Sequence, residues 1–195
     1  ADIDGAVVCA NAETLTAKNI AGAADAAGVL ITVETFEDFD IVTDNFINGV
    51  CDIITADGLQ LVGRKAEQQP EGEEWVIFPP AAISKEPLGP IYGQNDSQFA
   101  DVVNWTVYVT IIADENGVTS GNVSDMLVDG TAEVIRLLGG EGQLQSAMGL
   151  DADAFFNVIS QVGNYDEIYS RHMNPVGLSR DGSSNARWNE GGLIY

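Results

Sequence analysis

Two short polar clusters carry side chains able to hold a charged small molecule. The first is Asn11-Ala12-Glu13-Thr14-Leu15-Thr16, just after the apolar run Val7-Val8-Cys9, and the second is Thr55-Ala56-Asp57, after Cys51-Asp52-Ile53-Ile54. Both runs read as strands, so both clusters stand at strand carboxyl ends, where open α/β sheets bind their ligands. A helix opening at Ala17 presents free backbone N–H groups beside the Thr14 and Thr16 hydroxyls, which suits an anion such as a carboxylate. Plain N-capping by a threonine is the competing reading. Asp57 points to the same rim with a carboxylate that suits an ammonium group, and Thr55 lines it. Against this, Asp57-Gly58 is also a common turn pair.

Other chemistries find no support. His172 is the only histidine and lies at no metal-ligand spacing from a cysteine or paired acid. Gly-x-Ser-x-Gly turns, phosphate-binding glycine loops and His-Glu-x-x-His are absent from the sequence. Asp38, Asp40 and Asp44 lack the glycine and terminal glutamate of a calcium loop. Asn122-Val123-Ser124 matches a glycosylation sequon by pattern alone. With no acid/base pair, the expectation is a binding protein, with no enzymatic role, cofactor or metal.

Thirty acidic residues against eight basic ones give a formal charge of −22. Such a field repels nucleic acid and anionic lipid, so both are excluded as partners. The acids are spread along the chain, a pattern also suited to salty water, where screening tolerates self-repulsion. Cys9 and Cys51 are the only cysteines. They are too few for a structural zinc site, and read alone they are buried thiols or a pair.

The elements that must position the clusters follow from periodicity. Strands are expected at Val7–Cys9, Leu30–Val33, Cys51–Thr55 and Trp75–Phe78, alternating with helices at Ala17–Ala27, Phe39–Ile47 and Leu59–Gln69. That alternation predicts right-handed βαβ units and a mostly parallel sheet. Ile83-Ser84-Lys85-Glu86-Pro87-Leu88-Gly89-Pro90 then reads as a stiff, extended connecting strand, since its two prolines exclude helix and central strand alike. Beyond Tyr92 helices are expected at Ser97–Asn116, from Asn122 or Ser124, at Thr131–Leu138 and at Asp153–Met173. The first is apolar almost all round, through Val102, Val103, Val107, Val109, Ile111 and Ile112, and should be buried on several sides. Trp188 and Tyr195 are the expected anchors of the Gly- and Ser-rich tail.

Four motifs in one order give the chain a likeness. They are Val8-Cys9 with its threonine turn, Gly49-Val50-Cys51-Asp52-Ile53 leading to Asp57, Val162-Gly163-Asn164-Tyr165-Asp166-Glu167-Ile168, and the closing Trp188-Asn189-Glu190-Gly191-Gly192-Leu193-Ile194-Tyr195. With Ile83–Pro90 between them, they resemble the general (polar) L-amino-acid-binding proteins of ABC importers. The resemblance implies an α/β, periplasmic-binding-protein-like lobe with a mostly parallel sheet, followed by a C-terminal helical segment. It divides the chain into residues 1–86, a ligand-binding lobe, residues 87–93, a hinge crossover, and residues 94–195, helices that pack on a first lobe the chain does not contain. It also implies a disulfide between Cys9 and Cys51, hence an oxidising compartment: periplasm, cell surface or the extracellular space.

The resemblance further implies that Thr14, with Thr16 and Thr55 beside it, meets the carboxylate of a polar L-amino acid and that Asp57 meets its ammonium group. Implied partners are that amino acid, the membrane permease, and a complementary first-lobe chain or another copy of this one. Departures fall at the turn, where the family usually has Ala-Gly-Thr-Thr-Thr. Glu13 stands for a glycine and Leu15 for a hydroxyl residue, Gly93 replaces a basic residue, and one residue is missing after Gly58. The arginine that clamps the ligand carboxylate belongs to the absent lobe. The opening Ala1-Asp2-Ile3-Asp4 is no basic-then-apolar leader, so a signal was removed or the chain began elsewhere. The rival expectation is a structural or assembly subunit, dimer or filament, that kept the fold and lost transport.

Overall fold

The computed structural model describes residues 3–79 and 82–195. The chain divides at Leu88/Gly89 into two compact units. In the first unit, strands β1 (Val7–Asn11), β2 (Thr32–Phe36) and β3 (Ile53–Thr55) alternate with helices α1 (Leu15–Ala27), α2 (Phe39–Ile47) and α3 (Gly58–Gln68). The strands are parallel in the order β2-β1-β3, with Val8 opposite both Val33 and Ile53. As the central strand β1 is covered on both faces, and Val8, Cys9 and Ala10 are all sealed from solvent. Side chains alternate along a strand, so Cys9 faces a cluster with Phe39, Val42 and Cys51 while Val8 and Ala10 face away from it. Cys9 and Cys51 form a disulfide with their Cα atoms 5.8 Å apart.

α2 begins where the sequence places it because Asp38 accepts a cap hydrogen bond from the Asp40 amide at 2.6 Å. The second strand begins later than Leu30. The Leu30 amide donates to Asp4 Oδ1 and its carbonyl accepts from Gly5, so the chain joins the ladder only at Thr32. Leu30 is left 79% exposed.

Trp75–Phe78 is no strand in the structure, which corrects the expected fourth β element. Its backbone is committed elsewhere: the Trp75 carbonyl accepts from Lys65 Nζ at 2.5 Å and its amide donates to Gln69 Oε1 at 3.2 Å. The indole also packs edge-on against Phe46. Ile83–Pro90 likewise forms neither helix nor paired strand.

The second unit is helical: α4 (Ser97–Glu115), α5 (Val123–Asp129), α6 (Ala132–Leu137), α7 (Leu144–Ala147), α8 (Ala154–Val162) and α9 (Tyr165–His172). Its core joins Val109, Ala113, Val134, Leu138, Phe155 and Ile159. The single helix expected over Asp153–Met173 is two. Gly163 sits at φ +86°, a conformation that favours glycine, and Asn164 restarts the chain with a reciprocal capping box to Glu167. The short α7 carries no periodic signal long enough to read.

α4 is less buried than its composition predicts. Of the six apolar positions named above only Val109 is sealed, because the helix faces its core through Val109, Thr110, Ala113 and Asp114. Val103, Val107 and Ile111 are half-buried.

The tail anchors are polar, not aromatic. Trp188 and Tyr195 are 62% and 84% exposed. Instead Arg180 and Arg187 reach the buried carboxylate of Asp114, at 2.8 and 2.5 Å. Arg180 also pairs with Asp166 and lies 4.9 Å over the Tyr165 ring. Burial works against the Arg180 charge, but hydrogen bonds to Asp114 and Asp166 outweigh it and raise its pKa. Burial likewise raises the Tyr165 phenol, with Arg180 opposing.

Candidate functional site

A cleft of about 510 Å³ opens on the first unit, and Thr14, Thr16, Thr55 and Asp57 all line it. Parallel strands explain the convergence, since β1 and β3 run side by side and release their next residues at the same sheet edge. Gln60 and Glu86 share the lining. Neither was expected from sequence: Gln60 reads as one more polar residue of a helix, and Glu86 as part of a connector.

The two helices that open on the cleft are unusually equipped. Thr14 is the N-cap of α1 and Asp57 the N-cap of α3, yet neither side chain makes a cap hydrogen bond. The first-turn N–H groups of α1 therefore have no side-chain partner from the cap, and the Asp57 carboxylate is not tied to its own helix. Plain capping, the competing reading of Thr14, does not describe what its side chain does.

The threonines bond to each other instead. The Thr14 hydroxyl donates to the Asn11 carbonyl at 2.7 Å, and Thr14 Oγ1 lies 2.8 Å from Thr16 Oγ1. A hydroxyl has one proton, so Thr16 donates to Thr14, which donates to Asn11. Both protons are committed inward, leaving oxygen lone pairs for a ligand. An anion in this cleft is held first by α1 backbone N–H groups and the helix dipole. For Thr14 to donate to a carboxylate it must let go of Asn11.

Glu13, just ahead of this cap, has φ +62°. The backbone thus keeps the left-handed turn that glycine favours, at a cost of about 1 kcal/mol for a side-chain-bearing residue. The Glu13 carboxylate itself is exposed.

A second hollow, of about 90 Å³, lies beneath Trp75–Phe78 and is lined by Phe46, Ile54 and Leu61. Its cations are already engaged, Lys65 by the Trp75 carbonyl and Arg64 by Asp40. It offers a ligand little beyond apolar contact. Among the described residues no cluster of three His, Cys, Asp or Glu side chains could hold a metal ion. No helix among them is long and apolar enough to cross a membrane. His172, at the end of α9, is exposed.

Comparison with known proteins places the whole chain among relatives. No family model matches the chain. The glutamate/glutamine/aspartate/asparagine-binding protein BztA of Rhodobacter capsulatus is 34% identical over 198 residues, covering 100% of this chain and 57% of BztA. The general L-amino acid-binding periplasmic protein AapJ of Rhizobium johnstonii is 34% identical over 199 residues, with the same coverage. A solved periplasmic binding protein of an ABC transporter from Brucella ovis, with glutathione bound, superposes with a TM-score of 0.86 at 36% identity. It is covered to 61%, and this chain to 100%. Along its whole length the chain is thus homologous to amino-acid-binding proteins of ABC transporters, while spanning little more than half the length of the curated relatives it matches.

Proposed function

We propose that this chain is the second lobe and C-terminal helices of a periplasmic solute-binding protein, which takes a polar L-amino acid for an ABC importer. The cleft edge on this lobe supplies one half of the site. Asp57 meets the ligand ammonium group, while α1 N–H groups meet its carboxylate, joined by Thr55 and by Thr14 and Thr16 once their hydroxyls turn from Asn11. The remaining contacts, including a cation for that carboxylate, come from a first lobe supplied by another chain or by residues outside this sequence. Closure at the crossover, residues 87–93, buries the ligand between lobes. The helices of residues 94–195 pack on that first lobe, and the closed form docks on the permease.

The observation that carries this reading is one cleft that sets the Asp57 carboxylate, not bonded to its own helix, beside the α1 N-terminus, whose first-turn N–H groups take no bond from the Thr14 side chain. A buried zwitterion needs both of its charges answered, and these two positions answer both. Glutathione in the Brucella relative widens the ligand class to small peptides with an amino-acid end. No step of the reading needs a catalytic group or a cofactor. Every relative reported above is a binding protein, so the assembly-subunit alternative gains no support.

Calorimetric titration with L-glutamine tests the proposal, on this chain alone and with the first lobe of AapJ added. Weak or no heat alone and saturable heat with the added lobe are expected. Absence of heat in both would contradict it.

A further inference from the structure

Glu86 lines the same cleft as Asp57 and is held in place there. Asn19, in the second turn of α1, donates through Nδ2 to Glu86 Oε1 at 2.7 Å and to Ser84 Oγ at 3.0 Å. Pro87 restricts Glu86 further by excluding helical backbone for the residue before it. A carboxylate on a segment without regular structure is thereby tied to the helix whose first turn opens on the cleft.

The electrostatic consequence is one-sided. Asp57 and Glu86 line the cleft, and none of its described lining residues is Lys or Arg. The inward-donating threonine pair adds oxygen lone pairs and no free proton. A single ligand ammonium group answers one carboxylate and leaves the other. On closure, a neutral ligand side chain would leave that second carboxylate desolvated with the Asn19 amide but no countercharge, which is costly. An acidic side chain would add like-charge repulsion.

We propose that Glu86, positioned by Asn19, is a specificity-determining residue that selects amino acids with a cationic side chain, a guanidinium or second ammonium group. Neutral side chains rank lower and dicarboxylic amino acids last. This inference rests on the binding reading given above and deepens it.

The test is an amide chemical-shift titration of the ¹⁵N-labelled chain at low ionic strength with L-arginine, L-glutamine and L-glutamate. Amides at residues 14–17, 57–60 and 86 report binding at this cleft. Arginine is expected to bind about fivefold more tightly than glutamine, with glutamate weakest, and the spread should shrink as salt is added. Glu86→Gln keeps an acceptor for Asn19 and removes the charge, so arginine and glutamine should then bind alike. Asn19→Ala keeps the charge but frees it, so the preference should fall part of the way. Glutamate binding as well as arginine, or an arginine preference untouched by Glu86→Gln, would overturn the role of Glu86. A preference unchanged in Asn19→Ala would overturn the positioning role. Shifts from none of the three ligands, on the chain alone and again with the unlabelled first lobe of AapJ added, would overturn the binding reading itself, and this inference with it.

Discussion

Asp57 and Thr14 occupy matching places, each one residue ahead of a helix at the carboxyl end of a strand, and neither gives its side chain to its own helix. Where a cap residue does not cap, its replacement should cost binding rather than stability. Asp57→Asn is expected to weaken amino-acid binding by at least about tenfold, the scale of a lost charge-assisted hydrogen bond. Its unfolding free energy should stay within about 0.5 kcal/mol of wild type. Calorimetry with the first lobe of AapJ added reads the first quantity, and urea melts of the chain read the second.

Asn164 offers the opposite case. It caps α9 in a reciprocal pair with Glu167, whose carboxylate also accepts from the Ser120 amide and hydroxyl. Asn164→Ala should destabilise the second unit by about 1 kcal/mol. Gly163→Ala, at φ +86° and against the Glu167 side chain, should cost about 1–3 kcal/mol.

Glu167 also sets a pH dependence. Burial pushes its pKa up, but the hydrogen bonds from Ser120 and Asn164 outweigh this and leave it below the ordinary 4.5. A carboxyl more acidic in the folded state stabilises fully above its unfolded value and loses that contribution as pH falls through the folded one. Stability of the second unit should therefore fall as pH drops below 4.5. In Glu167→Gln this component of the acid limb should disappear, as unfolding curves across that range would show.

The Asp114 carboxylate holds the tail through Arg180 and Arg187, and Asp114 is almost fully buried. Removing it takes the buried carboxylate from both guanidinium groups, although Arg180 keeps Asp166, so Asp114→Ala should cost about 3 kcal/mol. Replacing Asp114, Arg180 and Arg187 together by apolar residues of similar volume should cost less than that single change. Denaturant melts of the two variants compare them directly.

The Cys9–Cys51 disulfide closes a loop with a sequence separation of 42. By chain entropy its loss in the Cys9→Ser/Cys51→Ser variant should destabilise the first unit by about 3–4 kcal/mol. Wild type in reductant should melt with the variant.

Local signals made much of this architecture legible. Phe39–Ile47 is readable because Asn48-Gly49 ends it, and the four cleft residues named from sequence converge because each lies at or just beyond the carboxyl end of a parallel strand. What stayed hidden depends on partners distant in sequence. Trp75–Phe78 has the residues of a strand, but Lys65 and Gln69 claim the Trp75 backbone. Trp188 has the size of an anchor, yet Asp114 recruits the arginines instead. Glu86 reaches the cleft through Asn19, a contact 67 residues apart that no local pattern encodes.

Amide hydrogen exchange of the full chain mixed with the first lobe of AapJ, with and without saturating L-glutamine, bears most directly on whether the Thr14–Asp57 cleft is the ligand site. Slower exchange confined to residues 14–17 and 57–60 is the predicted result. Unchanged rates there, or protection that falls instead beneath Trp75–Phe78, would contradict it.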